Sequence, residues 1–77
     1  MVQAYILIQT EVGSATRIAR EIAAIPGVTR AEDVTGPYDV IAQVEANGVA
    51  ELGGVVIAKV QEVQGITRTV TCTVVHN

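Results

Sequence analysis

The sequence contains no tryptophan and no phenylalanine, and only two tyrosines, one cysteine and one histidine stand among its 77 residues. Each scarcity removes a class of function. Two tyrosines cannot build a base-stacking platform, and a net charge of -3 with a pI near 4.8 lacks the basic patch that phosphate recognition requires. Direct nucleic-acid binding is therefore not expected. The lone Cys72 excludes an internal disulfide and a multi-cysteine zinc site, and fits a reducing compartment; its expected role is that of a small buried apolar residue. One histidine without a second soft ligand argues against a transition metal. Apolar runs such as Val55 to Ala58 fall far short of the ~18 residues of a membrane span. The N-terminus has no basic stretch and Gln3 interrupts its apolar residues, so no signal peptide is predicted and a cytoplasmic placement is expected.

What remains is a short, aliphatic chain, 49% hydrophobic, whose core must be built from Val, Ile, Leu and Ala. Its length allows one domain, residues 1–77, and a domain this small buries only about 60 to 65% of the surface its unfolded chain exposes. Support from a partner subunit is expected.

Val2, Ala4, Ile6 and Ile8 alternate with Gln3, Tyr5, Leu7 and Gln9, which predicts a strand with one strongly apolar face. Ser14 is placed to cap a helix whose stripe is Ala15, Ile18, Ala19, Ile22 and Ile25, ended by Pro26-Gly27; Arg17, Arg20 and Glu21 then face water. Val28 to Thr35 reads as a weaker strand, polar on both faces, as suits a sheet edge. Val40, Ala42 and Val44 mark a central strand. Asn47-Gly48 opens a second helix carrying Val49, Leu52, Val56, Val60 and Val63, with Gly65 at the expected left-handed C-cap and Gly53-Gly54 either permitting close packing or weakening the helix start. The last strand is read with Ile66, Val70, Cys72 and Val74 on one face and Thr67, Thr69, Thr71 and Thr73 on the other.

The two halves repeat. Ile25-Pro26-Gly27-Val28-Thr29-Arg30 returns 38 positions later (65 minus 27) as Val63-Gln64-Gly65-Ile66-Thr67-Arg68. The same offset carries Val2, Ala4 and Ile6 onto Val40, Ala42 and Val44, and Ile18, Ile22 and Ile25 onto Val56, Val60 and Val63. Two units are too few for a solenoid. Two βαβ halves closing on each other give an α+β, ferredoxin-like βαββαβ fold, a four-stranded antiparallel sheet with two helices on one face.

Catalytic constellations are missing. Cys72 and His76 sit four strand residues apart, roughly 13 Å and far beyond nucleophile-base reach. Glu32 and Asp33 are adjacent and point to opposite faces. Gly-x-Gly never occurs, so there is no phosphate loop, and an enzyme is not expected. The turn Thr35-Gly36-Pro37-Tyr38-Asp39-Val40, at the midpoint between the halves, is more promising. Gly36 offers bare backbone, and Asp39 beside the Tyr38 ring suits an ammonium group, with Asp33 nearby in sequence; the alternative is that Asp39 only bonds local backbone amides.

Val34-Thr35-Gly36-Pro37-Tyr38-Asp39-Val40, the preceding Ile25-Pro26-Gly27-Val28 and the closing Val63 to Thr71 resemble the ligand-binding (RAM) domain of Lrp/AsnC regulators, over essentially the whole chain. The resemblance implies a dimer, assembling further into rings of dimers, that binds amino acids at interfaces between dimers. It implies ligand contacts from the turn at Gly36, Tyr38 and Asp39 and from the final strand at Thr69 and Thr71. Family regulators carry an N-terminal helix-turn-helix that this sequence lacks, so it resembles a stand-alone effector-binding module, a dimeric α+β sandwich without cofactor or metal. The alternative role is an adaptor that joins full-length Lrp/AsnC-like regulators. ACT domains share the βαββαβ plan, and Val12-Gly13 fits their glycine before the first helix, but the Gly-Pro-Tyr-Asp turn and threonine strand fit them less well. Small ferredoxin-like monooxygenases carry more aromatic and histidine side chains than this chain holds. Tyr5, Leu7, Ile41 and Val75, set among threonines, are expected to form the dimer face.

Overall fold

A computed structural model describes residues 1–75; His76, and with it the Cys72–His76 spacing, lies outside the described residues. Alternation builds the sheet. In β1 (Val2–Thr10) and β3 (Val40–Ala46), Ala4, Ile6, Ile8, Val40, Ala42 and Val44 are all completely buried on one face. The two strands pair antiparallel, Ile6 opposite Ala42. Helix α1 (Ala15–Ala23) lays Ile18, Ala19 and Ile22 on this surface, while Arg17, Arg20 and Glu21 face solvent. With β2 (Val28–Asp33) at one edge and β4 (Ile66–Thr73) at the other, the order is β2-β3-β1-β4, the ferredoxin-like arrangement expected from the repeat.

Ser14 stands at the N-cap of α1 but makes no side-chain cap bond. Its φ of -102° and ψ of -7° are helical, whereas a capping hydroxyl reaches the first-turn amides from extended backbone. The second helix, α2 (residues 49–61), changes geometry along its length: Val49–Glu51 is α-helical, Leu52–Ile57 is a π turn, and Ala58–Gln61 is α-helical again. Gly53 and Gly54 lie in the π segment, and a Cβ on either would meet nothing within 4 Å, so close packing is not their role. Helix α2 ends at Gln61 with Glu62 as its C-cap, and Gly65 stands three residues beyond that cap as the lead-in to β4.

The repeat is a repeated backbone device. Gly27 and Gly65 both adopt φ +97°, and each carbonyl accepts a 2.8 Å bond, from the Glu45 amide of β3 and from the Glu11 amide just past the end of β1. A Cβ on Gly27 would sit 2.6 Å from Val56 Cγ2 and 3.2 Å from the Glu45 carbonyl, so glycine is required there for space as well as dihedral, whereas at Gly65 the nearest atom is the movable end of Arg17, at 3.0 Å, and the positive φ is the requirement. The pairing register then shifts between Val28 and Arg30 in β2, and opposite Gln9 and Thr10 in β4, leaving Thr29 and Thr67 as the extra residues. Register also corrects the strand alignment. Val28 faces Val44 while its counterpart Ile66 faces Thr10, so Val40 answers to Ile6 and not to Val2. The slip is an even number of residues, so the buried set is unchanged.

The bulge at Thr67 overturns the expected faces of β4. Ile66 lies opposite Thr10, and Thr69, Thr71 and Thr73 lie opposite Ile8, Ile6 and Ala4, all on the helix side. Val70 and Cys72 lie opposite Leu7 and Tyr5 on the open side, and Cys72 is exposed instead of buried. One inserted residue reverses every side chain after it. The open face therefore holds Tyr5, Leu7, Ile41, Val70 and Cys72 without the threonines expected there, and Val75 lies exposed beyond the end of β4.

Candidate functional site

The turn between β2 and β3 is held by the end of β1. The Asp39 N–H donates to the Ile8 carbonyl (2.9 Å) and its own carbonyl accepts from Val34 N–H (2.8 Å). Gln9 Nε2 donates to the Pro37 carbonyl at 3.2 Å. Thr10 N–H donates to Asp39 Oδ2 at 2.9 Å. Three consecutive residues, Ile8, Gln9 and Thr10, thus fix a turn 28 or 29 positions away for the side-chain contacts, so Asp39 neither bonds only local amides nor stands free.

Asp39 opens onto a cavity of about 440 Å³ lined also by Thr10, Glu11, Val12, Gly13, Ala15 and Thr16. Thr16 Oγ1 donates to Asp33 Oδ2 at 2.9 Å, so Asp33 is bonded to a lining residue without lining the cavity itself. The lining includes two acidic residues, Asp39 and Glu11, and two hydroxyl residues, Thr10 and Thr16. Chemically it can accept hydrogen bonds from a cation such as an ammonium group.

The five residues marked in the sequence are not gathered in one place. Gly36 is exposed, Tyr38 and Asp39 are half-buried, and of the five only Asp39 lines the cavity. Thr69 sits opposite Ile8, with β1 lying between it and β3, about 10 Å from β3 across the sheet at two strand spacings. Gln61 Nε2 donates to Thr69 Oγ1 at 3.4 Å, and Thr71 is exposed beside it on the helix side of β4. The sequence reading missed Gln9 and Thr10. Their only signal was an unremarkable polar ending to a strand, and the partner turn lies far along the chain.

Among the described residues no group of three or more His, Cys, Asp or Glu side chains could hold a metal, and no helix is long and apolar enough to cross a membrane.

Comparison with known proteins gives one family. The sequence model of the Lrp/AsnC ligand binding domain matches residues 3–77. An uncharacterized HTH-type transcriptional regulator of Pyrococcus horikoshii is 38% identical over 71 residues, covering 88% of this chain and 47% of the relative. The chain thus spans about half the length of the curated relatives it matches. A crystal structure from Thermus thermophilus superposes with a TM-score of 0.90 at 32% identity, covering 100% of this chain and 96% of that one. A Neisseria meningitidis transcriptional regulator solved as an L-Met complex shares the fold at TM-score 0.81, with 18% identity, covering 97% of this chain and 50% of that one. A homocitrate synthase of Sulfurisphaera tokodaii is 34% identical over 56 residues, which is 73% of this chain but only 12% of that enzyme. The βαββαβ sheet, the pinned Gly-Pro-Tyr-Asp turn and the match over residues 3–77 agree, and the chain belongs to the Lrp/AsnC ligand-binding domain family.

Proposed function

We propose that this effector-binding regulatory domain senses amino acids or related small molecules, and that it does so as a homo-oligomer with its site at subunit interfaces. The observation that carries the reading is the Asp39 turn, which β1 holds rigidly against a cavity with one carboxylate oxygen left without a protein partner among the described residues. A ligand ammonium would meet Asp39, its carboxylate the backbone amides near Gly36 and Tyr38, and its side chain Thr69 and Thr71. Within one chain Thr69 stands about 10 Å and Thr71 roughly 14 Å from Asp39, so a small zwitterion bridging both sets would take them from two subunits. The relative solved with L-Met makes methionine a natural first probe.

Association is read from the open sheet face. Tyr5 is 43% exposed and Ile41 37% exposed, and with Leu7 and Val70 they form an apolar strip, bordered by Arg30, Glu32 and Gln43, on the side away from both helices. A second copy stacking its own open face there makes an isologous dimer. Calorimetric titration of the twenty amino acids, with light scattering of the free and liganded protein, tests both parts. Binding without any species above the monomer would remove the interface; oligomers that bind none of the twenty would favour the adaptor role beside a full-length regulator.

A further inference from the structure

Helix α2 departs from helix α1 at one joint. The offset of 38 that relates the two halves sets Gly53 against Ala15, the first residue of α1 (53 minus 15), so the stretch from Val49 to Leu52 is a turn that α1 lacks. The π turn Leu52–Ile57 lies where this extra turn joins the shared helix. Bonds in a π turn close five residues apart instead of four, so it holds one residue too many and rotates everything before it by about 100°, one residue's arc of an α-helix. Burial records the rotation. Val49, Leu52, Val56, Val60 and Val63 are spaced as one α-helical stripe, and Leu52, Val56 and Val60 are buried, yet Val49 is 73% exposed. A continuous α-helix would return Val49 to the stripe.

The joint itself is loosely held. Gly53 and Gly54 are exposed, neither has a positive φ, and a Cβ on either would meet nothing within 4 Å, so no packing contact and no left-handed backbone ties them to the π form. The Leu52 amide donates to the Gly48 carbonyl at 3.0 Å, a bond internal to the first turn that can move with it. Burial of Val49 favours the α form, and the two-residue link Asn47-Gly48, which must follow the rotating turn, opposes it. We propose that helix α2 is a two-register device: the π register of this structure shows Val49 to solvent, and a continuous α register turns the same segment inward and buries it beside Val56. The helix thereby offers or withdraws one apolar side chain at its start without disturbing the sheet.

Amide relaxation dispersion on the whole chain tests this, because it reads exchange on the microsecond-to-millisecond scale of helix register shifts. Exchange should be confined to residues 48–57. Val49→Leu adds one methylene to the side chain that the α register buries and should raise that register's population about fourfold. Val49→Asp puts there a carboxylate that cannot be buried unpaired, and should abolish the exchange while keeping the π shifts. Deleting Gly53 removes the extra residue, and the variant should show the shifts of the exchanging state with the Val49 methyls against the core. Exchange absent from these residues in both the wild type and Val49→Leu overturns the proposal, as does exchange that Val49→Asp leaves unchanged. A deletion variant that folds with Val49 still exposed removes the second register; should that variant not fold, the two Val49 substitutions decide.

Discussion

The two faces of the sheet are built from the same strands and obey opposite rules. On the helix side, β1 and β3 present Ala4, Ile6, Ile8, Val40, Ala42 and Val44, all at 0% exposure. On the open side, the intervening residues of the same strands include Tyr5, Gln9, Ile41, Gln43 and Glu45, a mixture of apolar and polar side chains that stays half-buried or exposed. The first face closes a core within one chain. The second is not needed for that core and stays accessible in the single chain. Alternation thus separates the residues that build the core from those that the proposed association would use, one position apart.

Substitutions on each face should break or sharpen this division. The largest effect is expected from Ile6→Ala, which empties a fully buried site and should lower unfolding free energy by ~2–5 kcal/mol in chemical denaturation. Next comes Gly27→Ala, where φ +97° and a methyl 2.6 Å from Val56 Cγ2 combine to cost about 1–3 kcal/mol, read as a lower Tm. A cost of about 1–2 kcal/mol to the isolated chain, still below that of Ile6→Ala, is expected from Ile41→Asp on the open face, because Asp disfavours a central strand and would lie directly opposite Glu32. There the readout is association: analytical ultracentrifugation should show a weakened dimer with an intact fold. Should Ile41→Asp unfold the chain as Ile6→Ala does, the separation of the two faces is wrong. The smaller Arg17→Ala effect should be within about 1 kcal/mol, since the Arg17–Glu21 pair is half-exposed and salt-screened, although Arg17 Nη2 also donates to the Gln64 carbonyl at 3.0 Å.

The regular parts of this fold were legible because burial imposes a period. Ile18, Ala19 and Ile22 occur where a helix must face a sheet, and Val40, Ala42 and Val44 where a central strand must. The faces of β4 were not legible, because a bulge at Thr67 carries no hydrophobic signal, and a period of two read across it mistakes one side for the other. The π turn at Leu52–Ile57 was hidden for a similar reason, since Leu52, Val56 and Val60 keep an apolar stripe whichever hydrogen bonds join them. At the site, Asp39 could be picked out by its charge and its turn, while Thr10 could not, because its role is played by a backbone N–H that every residue but proline possesses.

The central claim is that the Asp39 turn is an effector site, and the most direct measurement is a thermal-shift screen of the twenty amino acids on the wild-type protein and on Asp39→Ala. A ligand that binds the native state must raise its Tm. The account predicts that at least one amino acid stabilises the wild type and that Asp39→Ala weakens its binding about ten- to a hundredfold, as loss of one charge-assisted hydrogen bond requires. An amino acid that stabilises both proteins equally would contradict it, leaving Asp39 as a residue that serves only to hold the turn against β1.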